Sequence, residues 1–183
     1  YTKENACLNS YMQCGEGRYE ENTSSNTRGK KRSRKVLHFF PLILRLQHLF
    51  MSSKTAKWMT WHHNNKSRDG LMRHPTDSDE WAAFDNKHAL FAEETRNVRL
   101  GLASDGFNPF KNMHPSYSIW PVVIFTYNLP PWMCMRSSFM MLMLLIPRKT
   151  TPGNAIDVYM QPLIDELKLL WYNGVETYDA ARK

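Results

Sequence analysis

Val98-Arg-Leu-Gly-Leu-Ala-Ser-Asp-Gly-Phe-Asn-Pro109 is a loosely alternating apolar run that stops in a cluster of turn formers. The pattern predicts a strand that ends at Ser104, followed by the turn Asp105-Gly-Phe-Asn-Pro109. Downstream, Ser118-Ile-Trp-Pro-Val-Val-Ile-Phe-Thr126 is β-branched and aromatic and predicts a second strand, with Pro121 marking an edge or a bulge. Asn128-Leu-Pro-Pro131 turns the chain. Phe139 to Ile146 reads as a third strand, apolar on both faces and so expected at the centre of a sheet covered on both sides. Pro147 to Asn154 reads as a loop. A helix follows, with Met160, Leu163, Ile164, Leu167, Leu170 and Trp171 on one face and Asp165, Glu166 and Lys168 on the other. Pro162 belongs in its first turn or at a kink, and Asn173-Gly174 supplies the stop. Val175 to Lys183 is expected to start another strand.

Short connections pair neighbouring strands antiparallel, and the helix then carries the chain across the sheet. Three strands, a helix and the start of a fourth strand is the order in which a ribonuclease-H-like domain begins. The expected class is therefore α/β (α+β): an incomplete ribonuclease-H-like domain over residues 97–183. Residues 36–96 read as a helical region. Pro41 suits a helix N1 position, and Leu42, Leu46, Leu49 and Phe50 fall on one face. Lys54 to His62 is expected to continue as a second short helix. Asp77-Ser-Asp-Glu80 has the form of a capping box and opens a helix ending near His88, with Trp81 and Phe84 on its buried side.

Residues 1–35 are polar and read as a flexible appendage that ends in Arg28-Gly-Lys-Lys-Arg-Ser-Arg-Lys35. That tract holds six basic residues in eight, so the net charge of +7 leaves about +1 for the rest of the chain. Such a tract is a solvated linker or a phosphate-contacting or nuclear-localisation segment, carried by Arg28, Lys30, Lys31, Arg32, Arg34 and Lys35. The 183 residues, 42% hydrophobic, suffice for a buried core. The longest apolar run, eight residues, falls far short of the roughly 20 that a membrane helix needs. Cys7, Cys14 and Cys134 are too few and too scattered for a disulfide framework.

Asp105 admits two readings. A carboxylate held at a strand end beside a glycine suits Mg²⁺ binding in phosphoryl transfer. Asp-Gly after a strand is also a common turn.

Five segments bear on that choice. They are Phe40-Pro-Leu-Ile-Leu-Arg-Leu-Gln-His-Leu-Phe-Met-Ser-Ser-Lys-Thr-Ala56, Arg73-His-Pro-Thr-Asp-Ser-Asp-Glu-Trp81, Asn97 to Phe110, Tyr127-Asn-Leu-Pro-Pro-Trp-Met-Cys-Met135, and Asp157-Val-Tyr-Met-Gln-Pro-Leu-Ile-Asp-Glu-Leu167. In this order the chain resembles the transposase family of CACTA (En/Spm-like) DNA transposons across roughly residues 36–180. The resemblance implies a nuclear protein acting on DNA, at transposon ends and with other transposase copies, through a ribonuclease-H-like domain whose acidic triad holds Mg²⁺ or Mn²⁺. Asp105 matches the first carboxylate of that triad. The second and third are expected to be missing from this chain, which makes it catalytically incomplete. Asp157, Asp165 and Glu166 are read as helix face or cap residues.

The family's zinc-ribbon-like Cys-x-x-Cys-Gly segment corresponds to Tyr11-Met-Gln-Cys14-Gly15, with tyrosine at the first ligand position. Cys14 is therefore a remnant, and zinc is not expected. His62, His63 and His74 are more simply core or surface histidines, and Trp58, Trp61 and Trp81 more simply packing residues than base-stacking ones. Met140, Met141 and Met143 read as strand core, and Arg136 and Lys149 as weak candidates for DNA-backbone contact. The alternative function is a non-catalytic DNA-binding or interaction protein derived from a transposase. A third reading is a chain that leaves apolar strand edges unpaired and does not fold stably.

Overall fold

In the computed structural model, which describes residues 6–12, 15–20, 31–67, 69–110, 118–148 and 156–182, the fold is mixed α+β: the three expected strands, the third shifted to 141–148 and so into the expected loop, form one sheet with a short strand from the region expected to be helical. Its strands are β1 (His38–Phe39), β2 (Leu100–Ser104), β3 (Ser118–Thr126) and β4 (Met141–Arg148), in the spatial order β1-β4-β3-β2. β3 pairs antiparallel with both neighbours. The chain divides into two compact units, Tyr1–His38 and Phe39–Lys183.

β3 lies inside the sheet, so Pro121 does not mark an edge. It marks a bulge: the register on β4 shifts between Val122 and Val123. Val122 faces Leu144 and Val123 faces Leu142, which leaves Met143 over, and the Met143 carbonyl accepts the Phe40 N–H at 2.8 Å. β4 is buried at Met141, Met143, Leu144 and Ile146, as its two-sided apolar sequence requires. Met140, just before it, is exposed.

Seven helices complete the described residues: α1 (Leu42–Met51), α2 (Ser53–Ala56), α3 (Trp61–Asn64), α4 (Asp79–Lys87), α5 (Ala89–Glu93), α6 (Pro131–Cys134) and α7 (Ile156–Tyr172). α1 buries Leu42, Leu46 and Phe50 against α7 and β4, each burial stabilising by about 2 kcal/mol. Pro41 stands at its N-cap, one residue before the expected place, and offers no side-chain cap. Glu166 supplies one from α7: its Oε2 accepts the Leu42 N–H at 2.6 Å, a carboxylate at the positive end of the helix. The helical region and the sheet thus share one core.

Lys54 to His62 does not form one helix. A turn over 57–60 separates α2 from α3. The cap of α4 is Ser78, whose Oγ accepts the Trp81 N–H at 3.2 Å. Asp77 is committed upstream, because Pro75 sets a 3₁₀ turn over Pro75–Asp77. Its carboxylate accepts the N–H groups of Ser67, Arg73 and His74 at 2.7 to 3.1 Å. Phe84 on α4 is exposed rather than buried. Pro162 is the seventh residue of α7, inside the helix rather than in its first turn. Gly174, at φ +68°, ends α7 by donating to the Leu169 and Leu170 carbonyls.

The described residues after α7 form no strand. Their polar groups go to α1 instead: the Ala180 N–H donates to the Phe50 carbonyl at 3.0 Å, and Gln47 Nε2 donates to the Glu176 carbonyl at 2.9 Å. No helix of the described residues is long and apolar enough to cross a membrane.

In the first unit the Tyr11 N–H donates to the Glu16 carbonyl at 2.9 Å, and bridges pair Ser10 with Gly17 and Tyr19 with Ser33.

Candidate functional site

Asp105 follows directly on β2, an outer strand of the sheet, and its side chain is exposed. The pairing of Ser104 with Val122 resumes in the same register at Phe107, which exchanges two backbone hydrogen bonds with Ile119 at 2.9 and 3.0 Å. Asp105 and Gly106 span the gap opposite Pro121 and Trp120. Pro121 has no N–H to give, and its carbonyl accepts from the Ser104 hydroxyl at 3.0 Å. Gly106 leaves room for an indole: a Cβ there would lie 2.5 Å from Trp120 Cε2. Asp105 Oδ1 accepts the Gly106 N–H at 2.7 Å. Asn108 Oδ1 accepts the Phe110 N–H at 2.8 Å and shapes the turn beyond. The carboxylate is thus carried at a defined place between β2 on one side and the Phe107–Ile119 bridge on the other.

Among the described residues, no three His, Cys, Asp or Glu side chains converge to hold a metal ion. The described residues around Asp105 therefore do not make a complete Mg²⁺ or Mn²⁺ centre, and no reaction step is drawn through one. Asp165 accepts from Gln161 Nε2 at 2.9 Å and Glu166 caps α1, so the helix carboxylates serve structure.

Cys14, Arg28, Lys30 and Lys149 lie outside the described residues. Of the rest of the basic tract, Arg34 pairs with Glu16 at 2.9 Å and Arg32 with Glu20 at 3.4 Å, while Lys31 lies over the Tyr19 ring at 5.2 Å. Lys35 is exposed. These contacts spend part of the tract's charge within its own unit. Exposed pairs of this kind contribute at most about 1 kcal/mol each.

The other end of β2 is built in the opposite manner. The Arg99 side chain, only 9% exposed, lies 4.7 Å from the Trp81 ring centroid and 5.2 Å from that of Phe91. Its Nη2 meets Asp85 Oδ1 at 2.5 Å, and its Nη1 donates to His62 Nε2 at 3.3 Å. The Arg99 N–H donates to Asn128 Oδ1 at 2.8 Å. Asn128, fully buried, also donates to the Met59 and Asn97 carbonyls at 3.0 Å each. Burial, and secondarily the Arg99 charge, push His62 down to about 4. Burial likewise lowers His74, whose Nδ1 accepts the Thr76 N–H at 3.3 Å. This knot was not visible in the sequence as a unit, although its members come from the quoted Arg73–Trp81, Asn97–Phe110 and Tyr127–Met135 segments and the intervening helices. His62 and His74 are core histidines, as the simpler reading had them.

A cavity of about 380 Å³ lies between α1, α7 and the segment after α7, lined by Leu46, Phe50, Phe91, Leu167 and Trp171. The Arg96 at its wall is taken by Glu94 at 2.5 Å and Asp179 at 3.5 Å, so it presents an apolar hollow with a neutralised rim.

The family model described as Transposase family tnp2 matches residues 69–183, more than half of the chain. The match takes in Asp105, β2 to β4 and α7. No curated protein matches, and no solved structure matches.

Proposed function

The chain belongs to the transposase family tnp2, and from that premise we propose that it is a DNA-handling segment of a CACTA (En/Spm-like) transposase. It works in the nucleus on transposon-end DNA, alongside further transposase copies. Asp105 supplies the first of the carboxylates that hold Mg²⁺ or Mn²⁺ in this reading.

The observation that carries the proposal is the placement of Asp105: exposed, at the end of a strand whose other end is locked, and flanked by a glycine that an indole requires. Three antiparallel strands followed by α7 also match the opening order of a ribonuclease-H-like domain. Among the described residues, the site positions one carboxylate. A bound Mg²⁺ would activate the attacking oxygen and steady the leaving one. Holding that ion takes more ligands than Asp105 offers.

The test is binding of the full chain to transposon-end duplex DNA at two salt concentrations, with Mg²⁺ or Mn²⁺ present and the DNA recovered afterwards. The expected result is binding that weakens steeply with salt, by phosphate contacts that release counterions, and DNA that stays uncut. Absence of binding at low salt would contradict the DNA reading. Asp105-dependent cleavage would overturn the incompleteness of the site.

A further inference from the structure

The acidic residues are unevenly spread. Glu21 is followed by no Asp or Glu until Asp69, and Asp105 by none until Asp157. The first of these acid-free stretches includes Lys54, Lys57 and Lys66, and the second Arg136. All four are exposed. The fold sets tryptophans of the two stretches against each other. Trp132, on α6, lies edge-on to Trp58 at 6.1 Å and to Trp61 at 5.6 Å between ring centroids.

Core packing accounts for only part of this cluster. Trp58 packs on Phe50, Met59, Leu129 and Cys134. Trp132 lies above it with 54% of its surface exposed, and Met135 beside it in sequence is 62% exposed. Lys57 Nζ stands 5.4 Å from the Trp58 ring centroid. The result is an indole fixed by two others and open on one side, with the Lys57 ammonium over the ring of its neighbour Trp58 and no Asp or Glu in either stretch of sequence that supplies the three indoles. The exposed cations of these stretches, Lys54, Lys57, Lys66 and Arg136, complement a phosphodiester chain, whereas an apolar peptide has no use for them. Every base has a π-face, and aromatic side chains with nearby cations are the general means of holding unpaired bases.

We propose that the Trp132 surface is a stacking site for unpaired bases of nucleic acid, with Lys57 and Arg136 toward the phosphates. The inference deepens the DNA reading above and rests on it for the polymer. It adds what that reading lacks: a place for single-stranded DNA away from Asp105.

The experiment titrates the full chain with an unstructured deoxythymidine strand of about 15 nucleotides and with a duplex, following tryptophan fluorescence and anisotropy. Stacking predicts quenching by the single strand. Trp132→Ala weakens single-strand binding by about tenfold and leaves duplex binding within about twofold, while Trp132→Phe keeps most of the affinity. Lys57→Ala lowers the salt slope for the single strand by about 0.7. Two results overturn the stacking site and leave the DNA reading standing: duplex binding with no single-strand binding, or a Trp132→Ala chain that binds the single strand as the parent does. A Phe variant as weak as the Ala variant also overturns it, because the loss is then not one of stacking. Binding of neither DNA form removes both readings and leaves the surface as a protein contact.

Discussion

Arg99 and Asp105 flank the five residues of β2, and the two ends are built on opposite principles. At one end Arg99 is enclosed by Trp81, Phe91, Asp85, His62 and Asn128, and its N–H and two of its guanidinium nitrogens have partners. At the other, Asp105 stands in solvent and accepts only a local N–H among the hydrogen bonds described for it. The difference assigns a task to each. The enclosed end fixes the strand in the core, and the open end gains a carboxylate whose position the core determines but whose charge the core does not use. Buried charge costs stability unless it is paired, so Arg99 is paired. Exposed charge costs little, so Asp105 is left available.

The largest expected effect breaks the enclosed end. Asn128→Ala removes three hydrogen bonds and leaves the Met59 and Asn97 carbonyls and the Arg99 N–H without their partner. The loss should be about 4 kcal/mol, read as a lower midpoint in urea unfolding.

Acid should loosen the same end. Folded His62 titrates at about 4 against an ordinary value of 6.5, so folding favours the neutral imidazole. This stability is complete above pH 6.5 and falls as pH drops toward 4, where the proton places a cation against Arg99. The ceiling is about 3 kcal/mol, and His74, lowered by burial, acts in the same direction. In urea melts across this range, His62→Gln should flatten the slope, and an unchanged slope would show that His62 does not carry it.

At the open end, Gly106→Ala drives a methyl group into Trp120. The expected cost is about 2 kcal/mol, with altered near-ultraviolet circular dichroism from a displaced indole.

The sequence made much of the frame legible, and the reasons are composition and periodicity. Ser118–Thr126 follows from its β-branched and aromatic content, and the helix α7 from its spacing, although of the expected apolar face Leu163 is buried and Trp171 is exposed. What stayed hidden depends on contacts distant in sequence. Glu166 caps a helix that begins 124 residues earlier, and no local pattern marks that role. His62, Arg99 and Asn128 read singly as a core histidine, a strand arginine and a turn asparagine, and only the fold joins them. The expected strand after α7 failed because the groups that would have paired it are engaged by Gln47 and Phe50 of α1. Asp105 was visible as a strand-end carboxylate, but its lack of convergent acidic partners among the described residues is a statement about space.

The smallest expected effect on stability is at Asp105, the residue proposed to hold the metal ion. Asp105→Asn should shift the unfolding midpoint by less than about 0.5 kcal/mol, as exposed substitutions do. The direct measurement is therefore paramagnetic broadening of amide signals by Mn²⁺, in the parent and in Asp105→Asn, each with duplex DNA bound. Broadening centred on Asp105 and Gly106 in the parent, and lost in the variant, is the predicted result. Broadening that leaves those amides sharp, or persists unchanged in Asp105→Asn, would contradict the assignment of Asp105 as a metal-holding carboxylate.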